Sequence, residues 1–270
     1  MRTIVEHHTI PPASELSALR RAMRDEHFLA YVAISEAHRS ILMQLGLRGD
    51  KIVAAHSGVD LRRYTQCDNE RLHGALRGAA SRHPLVVYAG SFYPGRGLET
   101  LLMAAQQVST ADFLLIGGAE DEIERYDAMA QQINVTNVRF QPRVRAQMVP
   151  ELLERADVLV LPYTPSAQAR DGTITARYAS PLKMVEYMAA GKPIVAADVG
   201  AICEVLQDGV NAVLVLPQDP DSLAAAIRRV VEDPVLSAKI GAQARKDATQ
   251  FSWEARVQRV LLFASRVVAQ

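Results

Sequence analysis

An α/β fold built on a doubly wound parallel sheet is what the sequence predicts, and three observations predict it. Short runs rich in Val, Ile and Leu alternate with stretches of helical periodicity along most of the chain. Those runs are continuously apolar, as in strands covered on both faces. The polar and glycine-bearing loops follow the strands, at the edge where open α/β sheets bind ligands.

In chain order, a first series opens with a strand at Arg2–Glu6 that runs into His7-His8-Thr9. A helix spans Ser14 to about Glu26, with Leu16, Leu19 and Met23 at helical spacing. Tyr31–Ile34 reads as a strand, and Ser35 caps a helix running to Gly46. Lys51–Ala55 is a third strand, ending in His56-Ser57-Gly58-Val59-Asp60. From Leu61 to His83 the chain turns polar and basic, as a linker or short connector does.

A second, longer series follows. Strand Leu85–Tyr88 enters the loop Gly90–Gly97. Helix Leu98–Val108, strand Phe113–Ile116, an acidic-capped helix Glu120–Gln132 and strand Asn137–Phe140 come next. Helix Ala146–Arg155 leads to strand Val158–Pro162 and a polar loop from Tyr163 to Ala179. Further on lie helix Ala201–Leu206, strand Ala212–Leu216 and helix Pro220–Val231. Helices at about Leu236–Thr249 and Ser252–Val268 complete the chain. No internal repeat or low-complexity tract appears.

Ser180–Asp198 (SPLKMVEYMAAGKPIVAAD) carries the most information. Ser180 is expected as the N-cap and Pro181 as the first helical residue. Gly191 supplies a left-handed end, Lys192-Pro193 stops the helix, and Ile194–Ala197 is a buried strand. Lys183 and Glu186 share a face of this helix. A cation in the first turn opposes the helix dipole, but an anion at the helix mouth would reverse that sign. Glu186, one turn deeper, can accept from two neighbouring hydroxyls such as those of a ribose. The plain alternative is a surface ion pair worth about 0.2–0.5 kcal/mol.

The 270 residues can bury a substantial core, and Lys+Arg and Asp+Glu balance at 30 each, so no net field favours nucleic acid. Cys67 and Cys203 form no disulfide framework or metal motif, which points to a reducing, cytoplasmic setting. No run has the length of a membrane span, while peripheral contact with the inner face of a membrane stays compatible with the composition. Neither a dinucleotide G-x-G-x-x-G fingerprint nor a Walker-type lysine loop follows the first strand of either series. His7 and His8 are ordinary loop residues by type and functional candidates by place. Arg96, between Gly95 and Gly97, could join Lys183 in neutralising a pyrophosphate.

Several stretches resemble one family. YVAISEAHRSILMQLGLRGDKIVAAHSGVDLRRY, YAGSFYPGRGLETLLMAA and SPLKMVEYMAAGKPIVAADVGAICEVLQDGVNAVLVLPQDPDSLAAAI together resemble the retaining glycosyltransferases of family 4. These have the two-domain GT-B fold and use nucleotide-diphosphate sugars. The resemblance implies a partial, acceptor-side α/β domain at residues 1–68 and a Rossmann-like donor domain at 69–250. A last helix at 251–270 would cross back to the first domain. Glu186 matches the second glutamate of the family's Glu–seven residues–Glu motif, which holds the ribose. Arg96, Lys183 and the N–H groups after Ser180 match the phosphate end, a stretch that includes Pro181 and Leu182, with Gly90 and Ser91 in the first loop. Arg143 and Val144 match the edge that receives the base, and His8 the histidine near the transferred sugar.

Three departures accompany the resemblance. Tyr178 stands where the motif has its first glutamate, Ser91 where many members have an arginine, and His56 where the usual N-G-V-D turn has asparagine. The family's opening strand and glycine-rich loop are also missing, so the chain is expected to begin in the middle of a domain. The sheet edge thus exposed would need a second copy or a partner chain to cover it.

The function the resemblance implies is metal-independent, retaining sugar transfer without a cofactor. The donor would be UDP- or GDP-linked and the acceptor a glycan, lipid or small molecule, with Arg96, Lys183 and His8 as the catalytic set. The alternatives are a non-catalytic or partner-dependent nucleotide-sugar-binding module and a nucleotide-sugar epimerase.

Overall fold

The computed structural model describes residues 2–64 and 83–268. Two parallel sheets organise them. The first series forms β1 (Thr3–Glu6), α1 (Ala13–Ala22), β2 (Phe28–Ala33), α2 (Glu36–Gln44) and β3 (Ile52–Ala54), in sheet order β1-β2-β3. The second forms β4 (Leu85–Ala89), α3 (Leu98–Gln107), β5 (Asp112–Gly118), α4 (Glu120–Gln132), β6 (Val138–Pro142) and α5 (Val149–Glu154). It continues with β7 (Val158–Leu161), α6 (Leu182–Ala190), β8 (Ile194–Ala197), β9 (Val213–Val215), α7 (Pro220–Glu232), α8 (Pro234–Ala248) and α9 (Trp253–Val268).

The larger sheet has the order β6-β5-β4-β7-β8-β9, with every pairing parallel. The chain winds outward from β4 through β5 to β6, then returns to lay β7 on the other side of β4. That reversal opens a crevice beyond the carboxyl ends of β4 and β7, where ligands bind in such sheets. Strands β7 and β8 are buried at every residue, as their continuous apolar runs predict.

The differences from expectation lie at element ends. The first helix stops at Ala22 instead of Glu26, and Pro12, not Ser14, is its N-cap. The second strand starts three residues early, at Phe28. Gly49–Lys51 is a 3-10 turn leading into β3, and Ala146–Met148 is another, leaving α5 only Val149–Glu154. The helix expected at Ala201–Leu206 is a 3-10 turn, Gly200–Glu204, because the segment is too short to offset the cost of helix nucleation. The polar connector is a 3-10 turn over Leu61–Tyr64. Beyond that turn, the connector through residue 82, Cys67 and the boundary at 68/69 lie outside the described residues.

The last helix packs on the small sheet. At its start, Val59 N–H donates to Phe251 C=O (2.9 Å) and Trp253 N–H to Val59 C=O (3.3 Å). Further along α9, Val260 and Phe263 pack on Ala30, Val32, Val53 and Ala55 of the small sheet. Arg256 completes the join, binding Glu6 at 2.8 Å and the carbonyl of His56 at 2.9 Å. Among the described residues β1 pairs with β2 alone, and Ile4 on it is 41% exposed. No helix among the described residues is long and apolar enough to cross a membrane.

Candidate functional site

A cavity of about 520 Å³ occupies the crevice beyond β4 and β7. One wall carries Gly90 and Ser91 after β4, Gly117 at the end of β5, and Arg143 and Val144 after β6. The opposite wall is the start of α6, with Ser180, Pro181, Leu182, Lys183 and Glu186. Arg96 and Tyr163 form the floor, and His8, Thr9 and Ile34 close the cavity from the small sheet. His8 and the candidates for the phosphates, ribose and base therefore line one space, while His7 and Tyr178 do not.

The cations sit on aromatic rings. Lys183 Nζ donates to the Tyr88 hydroxyl (2.8 Å) and lies 4.3 Å from the Tyr88 ring centroid and 5.2 Å from that of Tyr163. The Arg96 guanidinium stacks 4.7 Å from the Tyr163 centroid and donates to Gln168 C=O at 2.9 Å. Such contacts favour a cation but carry no compensating charge. Removal from water, with Arg96 adding repulsion, holds the Lys183 ammonium well below its ordinary pKa. The surface pair with Glu186 does not form, because Lys183 turns to Tyr88 instead. Glu186 is pushed above the usual carboxylate range by burial, a shift opposed by Arg63 and Lys183.

Two glycines make this packing possible. A Cβ at Gly90 would lie 1.8 Å from Lys183 Nζ, so the ammonium uses space that only glycine leaves. Gly97, at φ 75°, is the N-cap of α3, where a Cβ would meet Pro162 C=O at 1.7 Å.

The start of α6 departs from expectation. Its N-cap is Pro181, and no side chain caps it; Gly191 ends it in the left-handed region at φ 68°, as predicted. Ser180 does not cap the helix because its hydroxyl is engaged elsewhere. It accepts from Ser57 N–H (3.0 Å) and lies 3.1 Å from His56 Nδ1, while Ser57 Oγ donates to Ser180 C=O (2.6 Å). The first-turn N–H groups of α6 are left free of side-chain caps at the cavity, where an anion is favoured.

His8 lines the cavity but is mostly exposed, its Nε2 lying 2.7 Å from Glu6 Oε1. His7 turns the other way, with Nδ1 2.9 Å from the Tyr31 hydroxyl. Tyr178 is buried against the small sheet instead of lining the cavity. Its ring stacks on His38 (centroids 5.0 Å apart) and its carbonyl accepts from Ser35 Oγ at 2.8 Å. Ser35 also accepts from His38 N–H, the α2 cap read from the sequence. Cys203 Sγ donates to Asp198 at 2.8 Å. Among the described residues, no three His, Cys, Asp or Glu side chains converge as metal ligands do.

Sequence reasoning missed Tyr88, Tyr163 and the pair His56–Glu204. Tyr88 sits in an apolar strand and reads as core; Tyr163 opens a loop with no periodicity. Counted from Gly58-Val59-Asp60, the asparagine place of the family turn falls on Ser57, and His56 stands one residue before it with no mark of its own.

Comparison with known proteins gives this arrangement a context. The profile of the family described as "Glycosyl transferases group 1" matches residues 83–233. D-inositol 3-phosphate glycosyltransferase of Streptomyces avermitilis is 27% identical over 217 residues, covering 76% of this chain and 44% of that protein. Its counterpart in Geodermatophilus obscurus is 28% identical over 236 residues, covering 83% and 49%. The chain thus spans about half the length of the curated relatives it matches. Among solved structures, Anabaena Alr3699/HepE in complex with UDP and glucose superposes with a TM-score of 0.75 at 24% identity, covering 100% of this chain and 72% of that one. A glycosyltransferase from Rickettsia africae gives 0.81 at 17% identity, covering 98% and 70%. The two-sheet architecture is that of the GT-B fold.

Proposed function

The chain belongs to the group 1 glycosyl transferases, and from that membership we propose that it moves a sugar from a nucleotide-diphosphate sugar to an acceptor. The transfer retains configuration and needs no metal ion, as in the retaining enzymes of family 4. One observation carries this reading. The uncapped start of α6, Lys183 and Arg96 together put positive charge on one cavity, with no carboxylate among the described residues paired to Lys183. Such an arrangement is favourable when an anion of more than one charge binds there, as a diphosphate does.

In this reading Glu186 accepts from the ribose hydroxyls, and the edge at Arg143 and Val144 receives the base. Gly90 and Ser91 let the backbone approach the phosphates. As the glycosidic bond breaks, charge grows on the departing diphosphate, and Lys183, Arg96 and the α6 N–H groups stabilise it where it grows. The acceptor, a glycan, lipid or small polyhydroxylated molecule, approaches from the side of His8 and Thr9. Residues 1–68 then serve the acceptor and 69–250 the donor, with 251–270 joining them. Tyr178, buried on His38, leaves sugar recognition to other groups of that wall, Thr175 among them. A UDP-linked donor is supported by the bound UDP and glucose of the Anabaena structure. The setting we assign is cytoplasmic, at or near the inner membrane face.

Calorimetric titration with UDP, GDP and ADP in the absence of metal tests the reading. Saturable binding of one nucleotide, abolished by Glu186→Ala and by Lys183→Ala, is expected. Binding unchanged in both variants would refute the assigned site. Donor hydrolysis by the chain alone would further show that it turns over and does not merely bind.

A further inference from the structure

The start of α6 is governed from the other sheet. Pro181 holds the N-cap place of α6 and offers no side-chain acceptor, so the nearest hydroxyl that could turn onto the first-turn N–H groups is that of Ser180, one residue further out. Ser180 instead gives its hydroxyl to His56 and Ser57, more than 120 positions away in sequence (|i−j| of 124 and 123). His56 Nε2 in turn lies 3.1 Å from Glu204 Oε2. The Glu204 carboxylate is itself fixed, accepting from Glu36 N–H (2.8 Å) and Ala37 N–H (2.7 Å) at the start of α2.

The neutral and the doubly protonated imidazole both fit these contacts, and the lowered pKa of His56 selects the neutral form at neutral pH. Neutral His56 carrying its proton on Nε2 donates to Glu204, and its bare Nδ1 accepts from Ser180 O–H. Ser180 Oγ keeps a lone pair for Ser57 N–H. The imidazole is mostly buried, with 10% of its side chain exposed, and it does not line the cavity.

We propose that Glu204–His56–Ser180 is a positioning relay for diphosphate binding: it draws the Ser180 hydroxyl away from α6 and holds the uncapped helix start at the cavity. His56 touches no donor atom and acts through Ser180. The proposal rests on the donor-site reading above. It adds that closure of the small sheet onto the large one, through His56, sets the affinity of the site.

The surroundings of His56 set its response to pH. Burial lowers its pKa most, Glu204 opposes that, and Arg259 on α9 adds to the lowering; Glu36 is the other facing carboxylate. Arg256 binds its carbonyl, and the Phe251 ring stands edge-on at 5.8 Å. The net shift is downward, so the relay is intact at neutral pH. On acidification Nδ1 gains a proton and the bond to Ser180 reverses, Nδ1–H donating to Oγ, so the Ser180 hydroxyl proton loses its acceptor and the serine is free to reorient.

The test is calorimetric titration of the full chain with UDP, comparing wild type, His56→Ala and His56→Asn between about pH 7.5 and pH 5.5. His56→Ala is expected to weaken UDP about tenfold at the upper pH, the equivalent of one lost hydrogen bond. His56→Asn should stay within about threefold, because its amide oxygen can accept from Ser180 as Nδ1 does. Wild type should lose more affinity on acidification than His56→Asn, the titration of UDP itself being common to both. If His56→Ala does not fold, His56→Asn decides alone, and an acid slope equal to that of wild type overturns the relay. A folded His56→Ala with wild-type affinity overturns it too. If that happens while Glu186→Ala abolishes binding, the donor site stands without the relay. If wild type binds no nucleotide, the donor reading fails first and the relay with it.

Discussion

Lys183 Nζ and the Tyr88 hydroxyl are 2.8 Å apart, and the ammonium fills the space above Gly90 that any side chain would take. This contact ties the phosphate end of α6 to the end of β4, across the reversal of strand order. Gly90→Ala is therefore expected to push the ammonium off Tyr88 and, because Gly90 has φ +159°, to strain the backbone as well. UDP affinity should fall by about tenfold, roughly 1.4 kcal/mol, and stability by about 1–3 kcal/mol from the backbone strain. Titration of the variant with UDP, alongside urea unfolding, checks both numbers. Unchanged affinity would mean that Lys183 does not act from this position.

The depressed pKa of Lys183 has a consequence for proton balance. Without a ligand, burial and Arg96 disfavour the charged amine; a bound diphosphate favours it. Binding should therefore draw a proton onto Lys183, and the uptake should be largest on the alkaline side. Calorimetry with UDP at about pH 8, where the phosphates are fully ionised, should give enthalpies that vary with buffer ionisation heat in the sense of proton uptake. Lys183→Met should remove that variation along with most of the affinity.

The parts legible in the sequence were those whose causes are local. Helix α4 matches its expected span of Glu120–Gln132, with the Glu122 carboxylate accepting from Ala119 N–H at 2.8 Å, because its cap lies within its own first turn. Gly191 ends α6 for a reason written in two adjacent residues, Lys192 and Pro193. The candidate residues were legible because loops after parallel strands must converge. What escaped depends on distant partners. Ser180 has the chemistry of a cap, and only the fold brings His56 and Ser57 to compete for its hydroxyl. Tyr88 lies 95 positions from Lys183, and an aromatic in an apolar strand has no mark that separates a cation's seat from plain core. Tyr178 shows the same limit: its place eight residues before Glu186 suggested the cavity, but its stacking on His38 takes it away.

Two glycines with the same backbone preference should respond differently to alanine. Gly97 (φ +75°) and Gly172 (φ +83°) are both left-handed, but a Cβ at Gly172 meets nothing within 4 Å, while one at Gly97 would lie 1.7 Å from Pro162 C=O. Gly172→Ala should cost about 1 kcal/mol, the backbone term alone. Gly97→Ala must also move backbone between α3 and β7, and a loss of at least about 3 kcal/mol is expected. Urea unfolding of the two variants gives the comparison; equal losses would contradict the packing of the Gly95–Gly97 turn under the cavity.

His38 makes the join between the two sheets sensitive to acid. It is fully buried, stacked on Tyr178, and accepts from Ile34 N–H at 3.3 Å. Burial first, then His7 and His8, lower its pKa from 6.5 to about 4. In the unfolded chain the imidazole keeps its ordinary value, so between those two values the unfolded state binds more protons. Stability must then rise with pH across that window: the contribution is fully present above about pH 6.5 and is lost as pH falls towards about 4. After allowance for screening, its size is about 2 kcal/mol. His38→Asn keeps an acceptor for Ile34 N–H but cannot titrate, so its acid limb should be flatter than that of wild type. The variant should also lose about 1 kcal/mol at neutral pH with the stacking on Tyr178. Unfolding free energies measured from neutral pH down to about pH 4 would show this, and parallel curves for the two proteins would mean that His38 does not carry the acid sensitivity.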